Sequence, residues 1–397
     1  MKVLLIEDAR DVRLVLKASL HRYGYEVLTA EHGGEGLQLL NKHQDIQLVV
    51  SDVLMPVLDG HQFCRLVKQK DFGRFVYVIL LSSRDDEQEI IQGLGLGADD
   101  FLAKQSPLAE LNARMGVGKR IIELNNELNC QNEKLNLAYD QIKKDLMVAA
   151  EMHSNLLPSQ KSLSGVQFSW ICNCCAFLGG DMFDYQRLDE QTVAFYLLDV
   201  SGHGIPSALL SFTLKYALSP SYKGNSLLKR YIPTPPHYEI LQPVEVVAKL
   251  NERFMAPGSS SQYFTMIYAL LDTHSGQVTI CQAGHPGLLH QQNGKEILER
   301  SQNGFPVGML PDAEYEQFHF QLAHGDRLFL FSDGVTECFN QQKEEFGTER
   351  LVETLMQCHK LPLEQQVTEV NQRLINWNQS EQFDDDVSLL AIEWQGQ

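Results

Sequence analysis

From Pro107 to Pro158 the chain carries no proline, and Ile121, Leu128, Leu135, Ile142, Ala149 and Leu156 recur at every seventh residue across five heptads. A run of that length with apolar residues at heptad spacing predicts one long helix presenting a coiled-coil seam. The companion positions are Leu124, Gln131, Ala138, Asp145 and Met152, so two of five are polar, which weakens the seam and suits it to fixing register. A lone amphipathic helix packed on its own domains is the competing reading. Either helix divides the 397 residues into a domain before it and a domain behind it, as suits a length beyond the ~250–300 residues at which single cores stop growing. The expected division is 1–118, a helical linker over 119–157, and 158–397.

Hydrophobic residues make up 44% and charged residues 21%, enough apolar material to bury ordinary cores. The balance of 33 Lys and Arg against 51 Asp and Glu gives −18, which repels phosphate backbones and anionic membranes, so neither nucleic acid nor membrane is expected as a partner. The apolar start Met1–Ile6 meets Glu7 and Asp8 too soon for a signal peptide, and no later stretch reaches the ~18 apolar residues of a membrane span. A cytoplasmic chain is expected, with its eight cysteines as thiols and the crowded Cys172, Cys174 and Cys175 as half-buried strand thiols.

Before the linker, short β-branched runs alternate with amphipathic segments: Val3–Ile6, Val27–Thr29, Leu48–Ser51 and Tyr77–Leu81. That rhythm predicts a doubly wound α/β domain, a parallel sheet covered on both faces, with its chemistry beyond the carboxyl ends of the strands. Glu7, Asp8, Asp52, Ser82 and Lys104 all stand at such ends. Three carboxylates on one rim repel one another unless a cation joins them, and their hard oxygens suit Mg²⁺. With a lysine and a hydroxyl beside it, one free aspartate is equipped to accept a phosphoryl group. "IEDAR", "SDVLMPVLDG", "ILLSSRDDE" and "GADDFLAK", in that order, resemble a two-component receiver domain of flavodoxin-like fold across residues 1–115. The resemblance makes Asp52 the phosphoacceptor and gives Mg²⁺ to Glu7, Asp8, Asp52 and the Leu54 carbonyl. It makes Ser82 the switch hydroxyl, Lys104 the partner of the phosphoryl oxygens and Phe101 the aromatic switch residue. Gln105 departs from the family's proline, and Phe101 has no hydroxyl to exchange.

Behind the linker, strand-like runs at Val193–Leu198, Phe264–Leu271, Val278–Cys281, Arg327–Phe331 and Val387–Ile392 are interrupted by helical patterns at Ser207–Leu218, Pro243–Phe254 and Arg350–Cys358. Several strands follow each other directly, which predicts an α+β domain with antiparallel sheet. Residues 219–243, with four prolines, read as a long loop or lid. Aspartates end four apolar runs: "LGGDMFDY" with Asp181 and Asp184, "LLDVSGHG" with Asp199, "LFSDGVTE" with Asp333, and "FDDDVSLLAI" with Asp384, Asp385 and Asp386. Were these to converge, divalent cations would have to neutralise them, and oxygen-only ligation favours Mg²⁺ or Mn²⁺. Two such ions suffice for attack on a phosphate without a protein nucleophile.

These segments, with "DLMVAAEMHSNLLP", "YFTMIYALLD", "CQAGHPGLLH" and "FPVGM", resemble the PPM/PP2C metal-dependent serine/threonine phosphatases of the bacterial stress-response and sporulation branch, from about 147 to 394. The resemblance implies a PP2C-like sandwich and two Mn²⁺ or Mg²⁺. It implies that Asp199 bridges both ions, that Asp181 and the Val200 carbonyl hold one, and that Asp333 and Asp385 hold the other. Asp386 stands close to the site. His203 orients a water, acts as general acid or simply shapes its turn, and His285 is expected to be structural. No arginine presents itself for the substrate phosphate.

The expected protein is therefore a response regulator. A sensor histidine kinase would load Asp52, the linker helices would pair into a homodimer, and the output would be hydrolysis of phosphoserine or phosphothreonine on a protein such as an anti-sigma-factor antagonist. The rival is a phosphorylation-controlled adaptor whose phosphatase-like domain binds a partner and hydrolyses nothing. No cysteine has an arginine six residues on, which excludes the cysteine-dependent phosphatases, and no helix-turn-helix pattern supports a DNA-binding output.

Overall fold

Contacts within the chain divide it into two units, residues 1–141 and 142–397. The computed structural model describes residues 1–82, 95, 97–202, 204–219, 226–255, 262–294 and 296–396.

In the first unit β1 (Lys2–Ile6), β2 (Glu26–Ala30), β3 (Ile46–Asp52), β4 (Tyr77–Ser82) and β5 (Asp100–Ala103) form a parallel sheet in the order β2-β1-β3-β4-β5. Each strand buries both faces, so its residues read as continuous apolar runs rather than alternating ones. Leu4, Ile6 and Val49 meet Phe63 of α3 (Gly60–Gln69) and Leu40 of α2 (Gly33–Lys42). Val3, Leu5 and Ile79 meet Leu20 of α1 (Arg10–Arg22) on the other face. The α3 helix starts where the Asp59 carboxylate accepts the Gln62 amide at 2.7 Å.

The proline-free run is one helix, α4 (Leu108–Ser154). Its first turns bury Leu111, Met115 and Ile122 in the core of the first unit, so no loop stands at 118/119. Farther along, Leu128, Leu135 and Ile142 of the heptad seam are 55%, 67% and 59% exposed. Leu156 lies past the last helical residue, in the turn before Pro158. Among the described residues no helix is long and apolar enough to cross a membrane.

The second unit stacks two antiparallel sheets. One runs β16 (Gln317–Gln321), β13 (Gln277–Ala283), β12 (Phe264–Asp272), β9 (Thr192–Val200), β8 (Met182–Arg187). The other runs β15 (Glu296–Arg300), β14 (Leu288–Gln292), β17 (Arg327–Phe331), β18 (Val387–Trp394), β7 (Val166–Asn173), β6 (Ser162–Leu163). Phe183, Phe195 and Ile267 from the first meet Phe168, Leu328 and Leu390 from the second in a shared core. The outer face of the first sheet is covered by α5 (Ile205–Ala217) and α6 (Pro243–Phe254), and that of the second by α8 (Gly347–Gln357) and α9 (Leu363–Asn378). The short α7 (Asp333–Thr336) follows β17.

The expected 219–243 loop is corrected in part. Residues 229–240 form a ribbon of β10 (Lys229–Tyr231) and β11 (Tyr238–Ile240), because Lys229, Arg230 and Tyr231 pair with Ile240, Glu239 and Tyr238; residues 220–225 lie outside the described residues. Of the crowded cysteines only Cys172 is on a strand, and all three are half-buried thiols.

Candidate functional site

At the carboxyl rim of the first sheet, oxygens of Glu7, Asp8 and Asp52 lie within 4.8 Å of one another. Glu7 and Asp52 are 1% and 4% exposed, and Asp8 is exposed at the mouth. Lys104 holds the two buried acids, 2.7 Å from Asp52 Oδ2 and 2.9 Å from Glu7 Oε2. Burial raises the Glu7 carboxyl and outweighs the lysine's opposing pull. Burial alone would lower Lys104, yet its bonds to Asp52 and Glu7 leave it raised and firmly charged. The Ser82 side chain is buried at the end of β4, and its carbonyl accepts the Lys104 amide at 2.6 Å. Phe101 is 8% exposed and points into the core, and Leu54, whose carbonyl the resemblance assigns to Mg²⁺, has an exposed side chain. Arg13 escaped the sequence reading: its guanidinium donates to the Glu7 and Asp8 carbonyls at 2.6 and 3.1 Å and pairs with Glu31, fixing the turn that carries the acids.

In the second unit Asp181 precedes β8, Asp199 sits near the end of β9, Asp333 opens α7 and Asp385 precedes β18. Two close approaches bring them together. Gly180 lies so near the Val200 carbonyl that a Cβ there would stand 2.9 Å from its oxygen, and a Cβ on Gly334 would stand 2.1 Å from the Asp386 carbonyl oxygen. Only glycine lets these backbones meet. The buried Asp386 carboxylate accepts the Cys175 and Gly180 amides at 2.9 and 2.6 Å, tying the turn before β8 to the turn before β18.

The electrostatics of this cluster are uncompensated. Asp181 is 2% exposed and neither of its carboxylate oxygens meets a hydrogen-bond donor. The nearby Ser332 and Ser388 hydroxyls favour its charged form slightly, but Ser332 Oγ donates to the Asp386 carbonyl at 3.2 Å instead. Burial first, then the charges of Asp199 and Asp386, push Asp181 well above the carboxylate range. Burial with the charges of Asp333, Asp385 and Asp386 pushes Asp199 up to about 7, and burial with Asp385 raises Asp333. Among the described residues no ion pair reaches these four acids; Lys215, on α5, is taken by Asp184 at 2.6 Å. Among the described residues no three carboxylates here approach within 4.8 Å of one another as the N-terminal acids do. Orphaned buried oxygens and oxygen-only donors fit Mg²⁺ or Mn²⁺.

His203 lies outside the described residues. His285 is buried, bonds Thr265 Oγ1 through Nδ1 at 2.7 Å, and is driven down to about 3 by burial, so it is a neutral structural imidazole.

A parallel-sheet domain with a lysine-bridged acid pocket, followed by an antiparallel sandwich with a buried acid cluster, defines a receiver domain joined to a PP2C-type phosphatase domain. Residues 3–115 match the response regulator receiver domain, residues 189–395 match stage II sporulation protein E (SpoIIE), and the chain belongs to the SpoIIE family. It is 29% identical over 213 residues to the phosphoserine phosphatase RsbU of Bacillus subtilis, covering 52% of this chain and 58% of that one. It is 29% identical over 200 residues to the phosphoserine phosphatase RsbP of the same organism, covering 49% and 46%. The chain thus spans about half the length of the curated relatives it matches. The SiaA-PP2C domain of Pseudomonas aeruginosa superposes with a TM-score of 0.54 at 19% identity over 64% of this chain and 98% of that one, a likeness of fold. Phosphatases of the PP2C type are metal-dependent.

Proposed function

We propose that the chain is a cytoplasmic response regulator that hydrolyses phosphoserine or phosphothreonine on a protein, its output set by phosphorylation of Asp52. The observation that carries the reading is the buried carboxylate of Asp181, with no hydrogen-bond donor on either oxygen, beside Asp199, because such a pair stays ionised at neutral pH only with cations. Asp199 would hold both ions, Asp181 and the Val200 carbonyl one, and Asp333 with Asp385 the other. Bound there, Mg²⁺ or Mn²⁺ supplies Lewis acidity toward the phosphate. Asp386 keeps Asp181 in place through the Gly180 amide, and Asp333 is half-buried.

In the receiver, Glu7, Asp8 and the Leu54 carbonyl take Mg²⁺, and Asp52 accepts a phosphoryl group from a sensor histidine kinase. Lys104 then pairs with the new oxygens and Ser82 turns its hydroxyl toward them. The exposed seam of Leu128, Leu135 and Ile142, within the 119–157 linker, pairs with a second copy. The end of α4 reaches the phosphatase through His153, 3% exposed and packed 5.1 Å from the Phe212 ring on α5. The likeness to RsbU and RsbP, both named phosphoserine phosphatases, supports a phosphoserine substrate, and a phosphorylated anti-sigma-factor antagonist is the protein we propose carries it.

The test is phosphate release from a phosphoserine protein by the full chain with Mn²⁺, with and without Asp333→Asn. Release lost in the variant alone supports hydrolysis. Equal release from both would mean that it does not come from this site and would overturn the assignment, and none from either favours an adaptor.

A further inference from the structure

Beside the acid cluster the surface opens into a groove that the site as described does not use. A cavity of about 160 Å³ begins at Gly334 and Asp385 and is walled by Glu337 and Phe339. A second, of about 530 Å³, shares Phe339, Asn378 and Asp384 with the first and ends at Lys343. The two cavities adjoin along Phe339, Asn378 and Asp384, and the inner one reaches the metal-site acid Asp385.

The outer wall is built in advance. Residues 338–346 fold back on themselves, with the Phe346 amide on the Cys338 carbonyl at 2.8 Å and the Asn340 amide on the Glu344 carbonyl at 3.0 Å. Asn340 Oδ1 accepts both the Gln342 and Glu344 amides at 2.9 Å. From beneath, the Trp377 indole donates to the Cys338 and Glu344 carbonyls at 3.1 and 3.3 Å, clamping both limbs. The turn holds Lys343 at φ 62°, a region that side chains enter at a cost. Among the described residues Lys343 has no ion-pair partner, and Phe339 leaves 40% of its surface open. A stiff wall offering an apolar ring and then an uncommitted cation is pre-organised for a ligand that is apolar near the phosphate and negative farther out.

We infer that this groove seats the substrate chain beside its phosphoserine, with an apolar side chain against Phe339 and an acidic one at Lys343; the inference rests on the phosphatase reading above. Glu337 lines the inner cavity and Asp384 lines both, so an acidic side chain fits only beside Lys343. Phe339 and Lys343 thus set specificity and touch no reacting atom.

The experiment compares the full chain with Phe339→Ala and Lys343→Glu, in Mn²⁺, on p-nitrophenyl phosphate and on phosphoserine peptides with leucine beside the phosphoserine and aspartate or lysine farther along. Phe339→Ala should raise KM for the leucine peptides about tenfold, and Lys343→Glu should reverse the preference between the aspartate and lysine peptides. Both should leave kcat/KM on p-nitrophenyl phosphate unchanged. Peptide KM values unmoved in both variants, or peptide and p-nitrophenyl phosphate rates falling together, would overturn the groove alone. Failure of the parent chain to hydrolyse either substrate would overturn the phosphatase reading and the groove with it.

Discussion

The molecule holds two clusters of buried acids and neutralises them differently. In the receiver Lys104 lies within ion-pair distance of Glu7 and Asp52, so the pocket carries its own counter-charge. In the phosphatase unit α5 carries one lysine, Lys215, and Asp184 has taken it, leaving Asp181 and Asp199 with each other's charge in a desolvated site. A resident cation makes a pocket that persists without metal and uses Mg²⁺ only for chemistry. A pocket without one must have its counter-charge delivered, so metal binding and the order of the site become the same event.

The largest expected effect comes from Asp199→Asn. Removing a carboxylate that both ions share should lower kcat/KM on a phosphoserine protein by roughly a thousandfold, while autophosphorylation at Asp52 with a small phosphodonor stays unchanged; parallel loss of both activities would erase the distinction between the clusters. Lys104→Met attacks the distinction from the other side. It should make the receiver resemble the phosphatase pocket, lowering metal-free stability by about 3 kcal/mol because Glu7 and Asp52 lose their partner, with Mg²⁺ restoring much of the loss. Chemical denaturation with and without Mg²⁺ reads this directly.

Asp386→Asn keeps the shape but weakens the charge that ties Gly180 and Cys175. As an orienting residue it should reduce turnover or metal affinity by about 10- to 100-fold, and KM for metal should move more than the receiver's phosphorylation rate, which should not move at all.

The pH dependence follows from the raised carboxyls. Folded, metal-free Asp199 titrates at about 7, whereas an unfolded aspartate titrates near about 4. Its contribution to stability is therefore complete below about pH 4 and is lost as pH rises through about 7. Chelated protein should show its phosphatase transition falling in temperature across that window, and Mn²⁺ should raise the transition more at pH 8 than at pH 5. A pH-independent increment would count against cations replacing protons there. The smallest effect is reserved for Asp184→Ala, which breaks the Lys215 pair and the bond from the Tyr185 amide: about 1 kcal/mol of stability and no change in metal affinity.

Much of this was legible before the structure because strand ends announce themselves. The β1, β3 and β4 runs stop at Glu7, Asp52 and Ser82, and a parallel sheet has only one rim on which to gather them. The helix α9 was missed although Leu363, Val367, Val370 and Leu374 repeat at helical spacing and are buried, since Gln365, Gln366 and Gln372 dilute the pattern. The role of Asp386 was not readable at all: its partners Cys175 and Gly180 lie 211 and 206 residues away and contribute only backbone amides, which leave no mark on side-chain pattern. The ribbon at 229–240 hid for a related reason, because strand pairing between Arg230 and Glu239 is a contact and not a composition.

The central claim is that acids just before β8 and β18, on β9 and on α7 form one pocket completed by divalent cations. The most direct test counts Mn²⁺ bound at pH 8 by a chain carrying Asp52→Asn and Glu7→Gln, which silence the receiver site, using electron paramagnetic resonance of the free ion. The account predicts saturable binding of two ions per chain, sharply weakened by Asp199→Asn and by Asp181→Asn. No saturable binding, or binding indifferent to both substitutions, would contradict it.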